Sequence, residues 1–265
     1  MWLRTSCELS FNIEYPTPFI LMLRPRSGPH QWVARETYNM APFVPVVEYT
    51  DSYGNLCQRL TAPAGLFSIS TSADVQTEDE LAVAPGAPFA PVQSLPDEVL
   101  TYLLPTRYCE SDQFQNMAWD IVGDAAPGYD QVACIVAWIR ANVQFNSDSP
   151  HFQISAVAVN QQREGVCRDL AHFGIALCRA LCIPARMVVG YLFGLQPMDF
   201  HAWFEVYVGG RWYGFDATQD AARGGRVAVA YGHDAANVAI FTQFGLALSP
   251  THMRADVKRI RAPRA

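Results

Sequence analysis

The stretch Glu164–Leu192, EGVCRDLAHFGIALCRALCIPARMVVGYL, decides how this chain is read. Gly165 breaks helical structure just before it. From Cys167 the residues three, four, seven, eleven and fourteen positions on are Leu170, Ala171, Gly174, Cys178 and Leu181, which together form one apolar helical face. Ala171 and Gly174 are small, so a neighbouring element can approach closely. Pro184 ends the run, and ARMVVGYLF follows as a strand. Cys167 therefore stands in the first turn of a buried helix, where free amides and the helix dipole favour an anion. Cys178 and Cys182 lie mid-helix and read as small packing residues. Alone, a cysteine at a helix start means little; as a nucleophile it needs a base.

The stretch FHAWFEVYVGGRWYGFDATQ, residues 200–219, supplies one. It alternates, with Phe200, Ala202, Phe204, Val206 and Val208 on one face and His201, Trp203, Glu205 and Tyr207 on the other. Gly209-Gly210 is a two-residue hairpin turn. That loop length pairs Val208 with Arg211 and carries Trp203 opposite Asp216. His201 is then the diagonal neighbour of Asp216, roughly 7–8 Å away along the backbone and within side-chain reach. A loop one residue longer or shorter would put the two on opposite faces. The predicted arrangement is a nucleophile (Cys167), a base (His201) and a carboxylate that orients it (Asp216), as thiol catalysis requires.

The rest of the chain sets the frame. Of 265 residues, half are hydrophobic and 17% are charged, so a substantial packed core is expected. The net charge of −6 argues against nucleic acid as a partner, because phosphate binding needs a basic surface. The short basic run at Lys258, Arg259, Arg261 and Arg264 reads as a solvated terminus. The seven cysteines form no CxxC pair and no even disulfide set, and no zinc-ligand spacing is present. MWLRTSCELSFNIEY has no apolar h-region and reads as a strand, and no apolar run approaches a membrane span. A reducing cytoplasm, with no membrane partner, is the simplest expectation.

Residues 1–95 lack helical periodicity. CELSFNIEY and GLFSISTSADVQT alternate, FILMLRP is a continuous apolar run, and residues 43–65 read as strand, turn at Ser52–Asn55, and strand. This predicts an N-terminal β-sandwich over 1–95. A proline-rich extended linker follows over 96–110, and 111–265 form a catalytic unit. Within that unit, helices are predicted from a Ser111 cap through Phe114, Met117, Ala118 and Ile121, and from Pro127 to about Asn142 along Val132, Ile135, Val136 and Ile139.

Three stretches, GVCRDLAHFGIALCRALCIPARMVVGYL, DFHAWFEVYVGGRWYGFDAT and RVAVAYGHDAANV, resemble the bacterial transglutaminase-like family, within the superfamily of transglutaminases and papain-like cysteine enzymes. The likeness runs over roughly residues 110–245, and the strand-rich segment before it resembles the β-rich domain that precedes the core in bacterial members. The resemblance implies an α+β fold: an N-terminal β-sandwich, then a core whose nucleophile helix packs on an antiparallel sheet. It places the catalytic triad on Cys167, His201 and Asp216, and matches Arg168, Asp169 and His172 to the polar positions after the cysteine. His172 lies five residues beyond Cys167, away from the thiol face, and reads as structural. Ala230-Tyr231 before Gly232-His233-Asp234 departs from the expected Gly-Arg-Asp-like turn and bears on the rim of the cleft.

For the oxyanion, the Cys167 amide is one donor, and Asn146 or Gln153 are candidates for a second. Trp203 either walls the acyl site or packs across strands against Trp212 or Asp216. The expected activity is hydrolysis of peptide or isopeptide amide bonds through a thioester, on a protein or peptide substrate and without a cofactor. Transfer of the acyl group to an amine and a non-enzymatic scaffold that retains the fold are the alternatives. Homo-oligomerisation through the β-rich domain stays open.

Overall fold

The computed structural model describes residues 1–147 and 153–263. The chain opens with strands β1 (Trp2–Ile13), β2 (Thr17–Leu21), β3 (Gln31–Ala41), β4 (Val47–Thr50), β5 (Leu56–Ala62) and β6 (Gly65–Thr77). A short helix, α1 (Asp97–Leu100), precedes α2 (Gln115–Val122) and α3 (Tyr129–Asn142). Then come β7 (Gln144–Phe145), α4 (Ala156–Gln162), β8 (Glu164–Gly165) and α5 (Cys167–Ala180). Strands β9 (Ala185–Leu192), β10 (His201–Val208), β11 (Arg211–Phe215) and β12 (Arg226–Gly232) follow, and β13 (Phe241–Gln243) and β14 (His252–Arg259) finish the chain.

Three antiparallel four-stranded sheets result, ordered β14-β1-β6-β3, β13-β2-β5-β4 and β11-β10-β9-β12. The first two face each other across a core of Leu9, Phe11, Phe19, Leu21, Phe67 and Ile69. Phe11 and Phe19 meet with ring centroids 5.2 Å apart. The third sheet carries α5 on one face, through Ala202, Phe204, Val206 and Val208, with α2, α3 and α4 completing that core. Gly174 lets the helix sit this close, because a Cβ there would come within 2.5 Å of the Phe204 ring. The sheet's other face packs on the first sheet through Tyr191, Val227 and Val229 against Leu3, Val75 and Val257.

Mixed helices and antiparallel sheets around a helix that starts at Cys167 agree with the α+β expectation. Three features differ from the sequence reading. β14, assigned with 111–265 and not expected as a strand, pairs with β1 from Leu3↔Arg259 to Ser10↔His252, while Lys258, Arg259 and Arg261 are exposed as read and Arg264 lies outside the described residues. β13 likewise pairs with β2. The misreading has a physical cause: only Ala255 and Val257 of β14 are buried, so its charged residues dominate the pattern, and its partner lies some 250 residues away. Residues 96–110 are not an extended linker. Prolines bracket α1 and a single 3-10 turn at Thr101–Leu103, and Val99, Tyr102 and Cys109 are buried. Finally, β3 had no expectation. It is a sheet edge with alternating half-exposed residues and charges at Arg35 and Glu36, so its apolar signal is weak.

Candidate active site

Cys167 is the first residue of α5 and is partly exposed. The helix start is capped by Asp169, itself buried, whose Oδ2 accepts from the Val166 amide at 3.2 Å and whose Oδ1 accepts from Arg168 Nε at 3.0 Å. The Cys167 amide thus belongs to a fixed first turn, where N–H groups lack the carbonyl four residues back that the helix interior supplies. The parallel pair β7–β8 braces the approach to this turn.

The hairpin turn has φ of +57° at Gly209 and +83° at Gly210, values that glycine adopts without strain. Both being positive matches the tight two-residue loop and sets the register, from Val208↔Arg211 to Phe204↔Phe215. Asp216 follows directly after β11. His201, the first residue of β10, donates from Nε2 to Asp216 Oδ2 at 2.7 Å. The Cys167 side chain lies close enough to the ring to favour its charged form, and Nδ1 is the ring nitrogen that Asp216 leaves over.

Burial opposes a charged His201. The hydrogen bond to Asp216, then the neighbouring Cys167, outweigh it and lift the imidazole from 6.5 to about 9. Burial likewise opposes the charge of Asp216, but His201, Arg226 and Thr218 hold its carboxyl far below the ordinary range. Its Oδ1 accepts from the Thr218 amide at 2.9 Å and hydroxyl at 2.7 Å, and its Oδ2 also accepts from Arg226 Nη2 at 2.9 Å. Sequence reasoning missed Thr218 and Arg226. The first had a local signal, since a Ser or Thr two residues after an Asp commonly closes a side-chain turn. The second comes from β12 and had none.

The remaining candidates fall differently. Asn146 is carried to the helix start, its amide N donating to the Gly165 carbonyl at 3.0 Å and its Nδ2 to Glu164 Oε1 at 2.9 Å. Gln153 is exposed. Trp203 is 3% exposed, packs with Val188, Ala228 and Tyr231, and borders a cavity of about 60 Å³ that Trp212 also lines. It stacks at 23° to the His201 ring, pairs with Val188, and lies under the Arg226 guanidinium at 5.0 Å. The sequence could not show that this face of β10 is covered.

His172 is fully buried. Its Nδ1 donates to the Ile154 carbonyl at 3.0 Å, its Nε2 accepts from the Ala235 amide at 3.1 Å, and it stacks on Tyr108. Burial pushes it down to about 4, so it is a neutral packing residue. The Gly232-His233-Asp234 segment is not a rim of the thiol site. The His233 carbonyl accepts from Arg179 near the far end of α5, about 18 Å along the helix from Cys167, and Asp234 Oδ2 accepts from the Tyr108 amide. Among the described residues no group of three or more His, Cys, Asp or Glu could hold a metal ion.

Residues 115–217 match the family described as the transglutaminase-like superfamily, a span that includes Cys167, His201 and Asp216. The structure is similar to that of a "putative cysteine protease" from Cytophaga hutchinsonii, with a TM-score of 0.89 and 35% identity over 100% of this chain and 92% of that one. An uncharacterized protein of Mycobacterium leprae is 25% identical over 213 residues, covering 75% of each chain. With that degree of identity over nearly whole chains, and the family match centred on the nucleophile helix and its hairpin, the chain belongs to the transglutaminase-like superfamily.

Proposed function

We propose that this protein is a thiol hydrolase that cleaves peptide or isopeptide amide bonds. One observation carries the reading: a partly exposed cysteine at a helix start stands beside a buried imidazole, and a carboxylate 2.7 Å from that imidazole favours its charged form. In the proposed cycle the Cys167 thiolate adds to the amide carbon. The oxyanion is met by the Cys167 amide, with Asn146 the better placed of the two candidate side chains. His201 gives its proton to the leaving nitrogen, the C–N bond breaks, and an acyl thioester remains. Water then adds with its proton passing to His201, and the thioester opens to a free acid and the original thiol.

The seven cysteines, all free in the structure, fit a reducing compartment and a cytoplasmic location. No described helix is long and apolar enough to cross a membrane.

The test pairs the wild type with Cys167→Ala. An activated acyl ester should add one acyl mass to the wild type on Cys167, and a pool of short peptide amides should release amine. The variant should do neither while melting at the same temperature. Equal amine release by the variant sinks the reading. If an added primary amine converts the acid product to an amide, the enzyme is an acyltransferase instead.

A further inference from the structure

Arg226 is 8% exposed and starts β12, outside the span that matches the family. We propose that Arg226 is a positioning residue that acts through Asp216, drawing part of the carboxylate's charge away from His201 so that the imidazolium can release its proton to the leaving group. The inference rests on the triad reading given above.

Three observations support it. The guanidinium and the imidazole share one oxygen, since Asp216 Oδ2 accepts from Arg226 Nη2 at 2.9 Å and from His201 Nε2 at 2.7 Å. Asp216 does not need Arg226 to stay in place, because Thr218 grips its other oxygen twice. Arg226 is therefore a charge added to a carboxylate that is already oriented. It also lies over one face of Trp203, whose indole stacks near the His201 ring, so one side chain touches both neighbours of the base. Buried cations are expensive unless a partner needs them.

The charges along this line alternate: imidazolium, carboxylate, guanidinium. Asp216 alone would hold the proton on His201 more tightly, and a tightly held proton is a poor one to donate. The fold holds Arg226 from behind. Its carbonyl accepts from the Thr77 hydroxyl at 2.7 Å and its Nε donates to the Arg223 carbonyl at 3.2 Å. The titratable groups that border the cavity of about 60 Å³ beside it are His30, Glu78, Glu80, Glu205, Arg211 and Tyr231.

The test is a titration of His201 by nitrogen-15 NMR in the full chain, in the wild type, Arg226→Gln and Arg226→Lys. The wild-type midpoint is expected near 9. In Arg226→Gln it should rise by about 2 pH units, the size expected for losing a unit charge about 5 Å away at an effective dielectric near 20. Amide turnover should fall about tenfold with KM unchanged, and Arg226→Lys should restore both. Arg226→Met, similar in length, reads the same shift if Arg226→Gln does not fold. A His201 midpoint that stays put or falls in the neutral variants overturns the proposal. Because the titration needs no substrate, a wild type without Cys167-dependent turnover would defeat the proposed function and leave this measurement decisive for Arg226.

Discussion

Replacing Asp216 by Asn removes the carboxylate's charge at nearly constant shape. The rise of His201 from 6.5 to about 9 corresponds to about 3 kcal/mol in favour of the charged ring. Asp216 supplies the largest part of that rise, against a burial contribution that works the other way. Without it, the midpoint should fall to 6.5 or below. At pH 8 the ring would go from mostly charged to about 3% charged, a loss of about 30-fold in the imidazolium that protonates the leaving amine. At pH 6 the ring is largely charged in both proteins, so protonation alone should cost little there. The assay is kcat/KM for a peptide amide from pH 5 to 10. The wild type should lose activity as pH rises through about 9, and the variant about 2.5 pH units or more lower. Any loss of ring orientation lowers the variant's curve uniformly. A uniformly lowered curve whose upper limb still falls near 9 would refute the assignment of Asp216 as the group that holds the imidazole charged.

The same imidazole makes folding depend on pH. A folded value raised above the unfolded one adds stability that is complete below about 6.5 and disappears as pH rises through about 9. Denaturant midpoints measured over that window should fall in the wild type and stay level in His201→Gln. Gly174→Ala should destabilise by about 1–3 kcal/mol in urea unfolding despite alanine's better helix propensity, because the new methyl meets the buried Phe204 ring; a stabilised variant would refute the close approach of α5 to β10. Truncation after residue 248 should expose the β1 edge and uncover Leu3 and Val75, and so yield protein that aggregates on expression. A soluble monomer melting like the full chain would refute the role given to β14.

Local signals carried much of the design. The apolar face from Cys167 to Leu181, closed by Pro184, specified α5 because helical spacing is written in neighbouring residues. The double glycine at 209–210 specified a hairpin register, and with it the pairing of His201 and Asp216, because a two-residue loop permits one alignment of the strands. What the sequence left open involves partners distant along the chain. β14 joins β1 from the opposite terminus, so its two buried residues, Ala255 and Val257, give no strand signal of their own until the sheet forms. The surroundings of Trp203 were not legible, because strand alternation says which residues share a face but not what covers it. Arg226 has no motif, and only the antiparallel pairing of β12 with β9, which β10 also flanks, brings its guanidinium to Asp216. Periodicity is a property of adjacent residues. Which faces meet depends on long-range packing, and the tertiary structure decided that for the covered sheet and for the charge behind the triad.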